Sequence, residues 1–130
     1  RGGTGSGGIP TFQAVTLPVI GQTFTLDIVN LPPAAYFTTL LLGAGNQSWL
    51  GNPLPLDLGV VGLTGNWLEV DFDTLLQIPA FGGSAQINAD IPAIPVLAGY
   101  AFYVQSYTDD PLGPNGVGTA GRAGHGVMGN

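Results

Sequence analysis

The chain has 130 residues, of which 2 are Lys or Arg, 8 are Asp or Glu, 1 is His and none is Cys, for a formal net charge of -6. Charged residues make up 8%, against about 25% in an ordinary soluble domain, so something other than the usual coat of Lys and Glu must cover the surface. Basic groups occur only at Arg1 and Arg122, which leaves no electrostatic footprint for a phosphate backbone and excludes nucleic acid as a partner.

Gly and Pro account for 33 of the 130 residues, a content that approaches low-complexity chains. Against disorder stand a hydrophobic content of 45% and apolar residues that recur with a period of two, the pattern of half-buried strands. The expectation is one compact domain over 9–127, with a Gly-rich leader at 1–8 and a Gly-rich segment at 113–130. Without Cys there is no disulfide, no thiol nucleophile and no Cys-ligated metal. No apolar run approaches the ~18 residues of a membrane helix. The first residue is Arg, as cleavage of a secretory signal would leave it, so we expect an extracellular or cell-surface protein processed after secretion.

Taken in chain order, RGGTGSGG reads as a flexible leader. QAVTLPV places Val15, Leu17 and Val19 on one face of a strand that Pro18 marks as an edge. QTFTLDIVNL alternates cleanly, with Phe24, Leu26 and Ile28 on one side, and stops at Pro32 and Pro33. YFTTLLLGAG is more continuously apolar and reads as a central strand. SWLGNPLPLDLGVVGLTGN reads as a loop-rich crossing with short extended pieces. WLEVDFD resumes alternation with Leu68, Val70 and Phe72 inward, and TLLQIPAF reads equally as an edge strand or a short turn of helix. SAQINADI and AGYAFYVQSY are strands, with Ala85, Ile87, Ala89 and Ile91 inward in the first and Phe102 and Val104 on one face of the second. A last extended piece falls between Gly116 and Val127. Gly-rich ends of this kind fray unless they are tied down, so order there would mean packing against something, such as a neighbouring copy. Seven to eight short strands with no long helix predict an all-β, antiparallel β-sandwich, Ig-like or jelly-roll-like.

The runs GIPTFQAVTLPVIGQTFTLDIVNLPP, LLLGAGNQSWLGNPLPLDLG and GSAQINADIPAIPVLAGYAFYVQSY, followed by a Gly-rich strand, resemble a small β-sandwich domain found at the C-termini of large secreted proteins of planctomycete-like bacteria. The resemblance spans roughly residues 9–127 and rests on core pattern and turn residues. It implies a secreted, accessory or structural role and brings no catalytic motif. The resembled domain carries a Cys near its start and another in the turn before its fifth strand, where this chain has Gly and Asn66.

The residues that could carry chemistry are few. His125 lies in GRAGHGVMG with no nucleophile elbow in the chain, and reads as a surface or interface residue, so no catalytic residue is assigned. Asp71 and Asp73 share a strand face, as paired catalytic carboxylates would and as an ordinary solvated face also does. In YTDDPLGPNG, Asp109, Asp110 and Asn115 offer oxygen ligands to Ca²⁺, although the spacing matches no established calcium loop. Otherwise no cofactor is indicated. Asn46 opens the chain's single N-x-S sequon and is the glycosylation candidate. Trp67, Tyr103 and Tyr107 fall on the outward side of their strands and could stack on sugar rings.

Outward residues of the Thr, Gln, Asn, Ala and Gly type do little to oppose pairing of sheet edges, so copies of the chain are the expected partner. The leading expectation is a structural subunit of an extracellular filament, sheath or surface layer that assembles head to tail. Strand donation by the N-terminal segment would use Ile9, Phe12, Val15, Leu17 and Val19. The alternative is an accessory domain that binds carbohydrate or a cell surface.

Overall fold

Residues 2–130, which the computed structural model describes, form twelve strands. These are β1 (Thr11–Ala14), β2 (Thr23–Val29), β3 (Phe37–Gly43), β4 (Ser48–Trp49), β5 (Asn52–Pro53), β6 (Leu56–Asp57), β7 (Trp67–Leu68), β8 (Thr74–Phe81), β9 (Ser84–Asp90), β10 (Ala101–Asp109), β11 (Gly118–Ala120) and β12 (Gly124–Val127). Short 3-10 turns at Leu58–Val61 and Pro95–Leu97 are the only helical pieces among the described residues. Eight strands form one antiparallel sheet in the order β1-β2-β9-β8-β3-β10-β11, with β12 beside β11 on the same edge of β10. The sheet curls on itself into an all-β, sandwich-like fold. One layer holds β1, β2 and β9, and the other holds β8, β3, β10, β11 and β12.

Alternation within the strands builds the space between the layers. Leu26 of β2, Leu40 of β3 and Val104 of β10 are buried together, flanked by Phe12, Phe24, Leu42, Ile78, Ile87 and Phe102. Ile28, Leu31, Ala80 and Ala85 form a second cluster toward the hairpin that joins β8 to β9. The Phe24 and Phe102 rings meet edge to face, with centroids 5.9 Å apart. In β12 the alternation puts Gly124 and Gly126 on the core side, and the Phe102 ring fills the place a side chain on Gly126 would take.

The two layers part at Pro79, and the reason is chemical. β8 and β9 join through Gly82 and Gly83, both at positive φ, and pair only as Ala80 with Ala85 and Phe81 with Ser84. The next hydrogen-bonded pair in that register would join residues 79 and 86. Pro79 has no N–H to give it, so β9 leaves to follow β2 while β8 stays on β3. On the opposite side the layers are held together: Arg122 N–H donates to Pro10 C=O at 2.9 Å, Gly129 N–H to Pro18 C=O at 2.7 Å, and Ile20 N–H to Gly129 C=O at 2.9 Å.

The outer faces of the layers differ. On the first, hydroxyl and amide groups donate across strands to amide and carboxylate oxygens, Thr23 Oγ1 to Asp90 Oδ1 at 2.7 Å, Thr25 Oγ1 to Asn88 Oδ1 at 2.8 Å and Gln86 Nε2 to Asp27 Oδ1 at 2.9 Å. Over the second lies the crossing segment 44–73, whose Leu68 and Val70 are buried. Gln105 of β10 fastens it there: its Oε1 accepts from Glu69 N–H at 2.9 Å, and its Nε2 donates to Trp67 C=O at 2.7 Å and Gly121 C=O at 2.9 Å.

Three expectations change. The first strand runs over Thr11–Ala14, upstream of the apolar face expected in QAVTLPV; Val15 N–H and Thr16 N–H both reach Thr25 C=O, which breaks the ladder and leaves Val15 and Leu17 exposed. Within WLEVDFD Leu68 and Val70 are buried as expected and Phe72 is half-buried, yet only Trp67–Leu68 forms a strand, with Leu56–Asp57. The Gly-rich ends pack on the chain's own body. Gly3 N–H donates to Ala120 C=O at 2.9 Å, and a side chain at Gly3 would overlap the Asn66 amide, so close approach requires glycine there.

Candidate functional site

The polar residues with functional potential are drawn into structural work. Asp110 is buried; its Oδ1 accepts from Ser6 Oγ at 2.7 Å and its Oδ2 from Ser6 N–H at 2.7 Å and Thr119 Oγ1 at 3.0 Å. Burial alone would raise the Asp110 carboxyl, but the donors from Ser6, Thr119 and Gly113 outweigh it and hold the group below the ordinary carboxylate value. Asn115 closes its own loop, accepting from Val117 and Gly118 N–H and donating to Gly118 C=O. Asp109 is exposed. The three calcium candidates therefore lie at the end of β10 and in the loop that follows it, with two of them already engaged by protein groups.

Asp71 and Asp73 are exposed, and Asp73 Oδ1 accepts from Thr74 Oγ1 at 3.0 Å. Asn46 is exposed on the loop after β3, where its Oδ1 accepts from Gln47 Nε2. His125 stacks on Tyr103 across β12 and β10, rings 4.7 Å apart and 9° from parallel. Tyr103 and Tyr107 flank Gln105 on one face of β10, and Trp67 lends its carbonyl to the same glutamine. All three candidate aromatics are half-buried, so they do not form an open platform. Tyr107 borders an apolar cavity of about 350 Å³ beneath the crossing segment, together with the stacked Trp49 and Phe72. Burial, with Asp109 nearby, pushes its phenol upward.

The N-terminal assembly candidates divide. Phe12 packs against both core clusters, Ile9 and Val19 are half-buried, and Val15 and Leu17 are exposed. Thr11–Ala14 is already a strand of its own sheet, in register with β2.

The feature that sequence reading missed is the outer edge of β8. Ala80 N–H bonds Tyr36 C=O, which fixes the parity of the β8–β3 ladder: residues 74, 76, 78 and 80 face β3, and residues 75, 77 and 79 face away. The outward N–H and C=O of Leu75 and Gln77 thus point to solvent, and no described element covers them. Leu75 is 58% exposed and Leu76 43%. Beside this edge, between β8 and β9, an apolar cavity of about 340 Å³ opens into the core past Leu76, Ile87 and Phe102. The available signal was chemical: residues 74–89 carry no charged side chain, and Pro79 interrupts the hairpin. Compared with family models, curated proteins and solved structures, the chain matches none.

Proposed function

We propose that this domain is a structural subunit of an extracellular filament, sheath or surface layer, built by association of its own copies. The observation that carries the reading is the uncovered β8 edge: an apolar strand with free backbone donors and acceptors and no charged side chain along residues 74–81. Sheets that stay monomeric place Lys, a bulge or a covering loop at such an edge. Here one proline does part of that work, and among the described residues no element pairs with the outward edge at Leu75 and Gln77. Donation of Ile9–Val19 to a neighbour would have to pull β1 from β2 and Phe12 from the core, whereas contact through an open edge leaves every strand in place.

Sedimentation velocity over a concentration series, with electron microscopy of the concentrated protein, tests the proposal. The expected result is concentration-dependent growth into regular assemblies; a monodisperse monomer at millimolar concentration refutes it.

A further inference from the structure

We propose that two copies pair through β8 about a two-fold axis that passes at Leu76, extending the second layer of each sandwich into one continuous sheet. The inference rests on the structural reading above and deepens it by naming one contact; a two-fold contact closes at the dimer, so growth beyond it uses a second contact between dimers.

The register follows from which backbone groups are free. Outward N–H groups exist only at Leu75 and Gln77, because Pro79 has none and Asp73 N–H is already donated to Leu42 C=O. An antiparallel pairing of β8 with its copy that sets Leu75 opposite Gln77 of the second copy, and Gln77 opposite its Leu75, uses all four free N–H groups of the two edges. A register centred on Leu75 or on Gln77 instead sets the other residue opposite Asp73 or Pro79, neither of which has a free N–H to return, and so leaves two carbonyls without a donor. In this one, Leu76 faces Leu76 across the axis as a non-hydrogen-bonded pair, where side chains approach most closely. Both leucines, half-exposed in the single chain, then cover each other at the mouth of the cavity between β8 and β9.

Charge selects β8 over its neighbour. The chain carries a net charge of -6, so copies repel wherever carboxylates are brought together. Residues 74–81 contain none, and their exposed side chains are mostly apolar. The free edge of β9 belongs to Gln86, Asn88 and Asp90, whose side chains face water and bond to Asp27, Thr25 and Thr23. A self-complementary apolar edge free of charge fits a second copy of this chain.

The absence of Cys makes the register directly readable. Single variants Leu76→Cys, Leu75→Cys and Phe81→Cys are oxidised under mild conditions; Phe81 is 90% exposed and serves as the reference for random collision. Leu76→Cys is expected to form a disulfide dimer at least an order of magnitude faster than either of the others, since residues 75 of the two copies are offset beyond disulfide reach. Equal rates at all three positions overturn the contact. In parallel, Gln77→Pro removes an N–H that the fold does not use, and is expected to keep the wild-type far-ultraviolet circular dichroism while the wild-type dimer peak disappears in sedimentation. If Gln77→Pro assembles like the wild type, the β8 contact is wrong while the structural reading stands. A wild type that remains monomeric overturns both.

Discussion

Replacing Gln105 with Leu should release the crossing segment from β10. The side chain is fully buried and makes three hydrogen bonds, two to the backbone of the crossing segment at Trp67 and Glu69 and one to Gly121. Leucine fills most of the volume but leaves Glu69 N–H, Trp67 C=O and Gly121 C=O without this partner. Losing such a partner costs about 1–3 kcal/mol; about 2 kcal/mol for the buried bond to Gly121 and about 1 kcal/mol for each of the two part-buried bonds gives about 4 kcal/mol. Placing leucine in the site returns about 1 kcal/mol, so the net loss is about 3 kcal/mol. For a domain of this size that lowers the Tm by about 10–15 °C. Urea denaturation gives the free energy, and hydrogen exchange locates it: protection should fall first in residues 44–73, while β2, β3 and β9 stay protected. A loss below about 1 kcal/mol, or a uniform fall in protection, refutes the assignment of Gln105 as the fastening of that segment.

Asp110 predicts a pH dependence with a definite sign. Its folded-state carboxyl lies below the ordinary value, so the stability it contributes is present above that value and is lost as the pH falls through the folded one. Asp110→Asn should therefore cost about 2 kcal/mol near neutrality, and the difference from wild type should shrink in urea titrations run at strongly acidic pH; a constant difference contradicts the role. Gly7→Ala sets a Cβ into the Leu31 backbone carbonyl, which cannot swing aside, and should cost about 1–3 kcal/mol by thermal denaturation. An unchanged Tm would show that the leader is not seated against Leu31.

What the sequence made legible was decided by locality. β2, β3, β9 and β10 follow from alternation because each has one face toward the space between the layers, and Phe24, Leu26 and Ile28 mark it without ambiguity. TLLQIPAF stayed ambiguous because β8 is apolar on both faces: Leu75 borders the cavity under the crossing segment and Leu76 the cavity between the layers. Nothing local distinguishes such a strand from a helical turn. Gln105 was unreadable for the converse reason. A glutamine at an alternating polar position reads as solvent-facing, and only the crossing segment, itself irregular, makes that face interior. The calcium reading of Asp110 failed to anticipate Ser6, which reaches it from 104 residues away. Asn66 likewise bonds Ala120 N–H at 2.7 Å from 54 residues away, and Gly3 lies against its amide.

These contacts change what the missing charge demands. If every outward strand face were solvent surface, a chain with 8% charged residues would need neighbours over most of its area. The outer face of the second layer, however, is covered by residues 44–73, the Gly-rich ends lie on the body of the domain, and the first layer carries a ladder of Thr, Asn, Gln and Asp side chains that bond across strands. Proline at 79 then concentrates the remaining demand in one place. By stopping the β8–β9 ladder it opens the core at the side and leaves the facing edges of β8 and β9 without backbone partners, while the opposite side is held by bonds through Pro10, Pro18 and Gly129. The backbone accounting leaves two open edges facing each other, β8 and β9, and the carboxylate of Asp90 on β9 makes β8 the one free of charge.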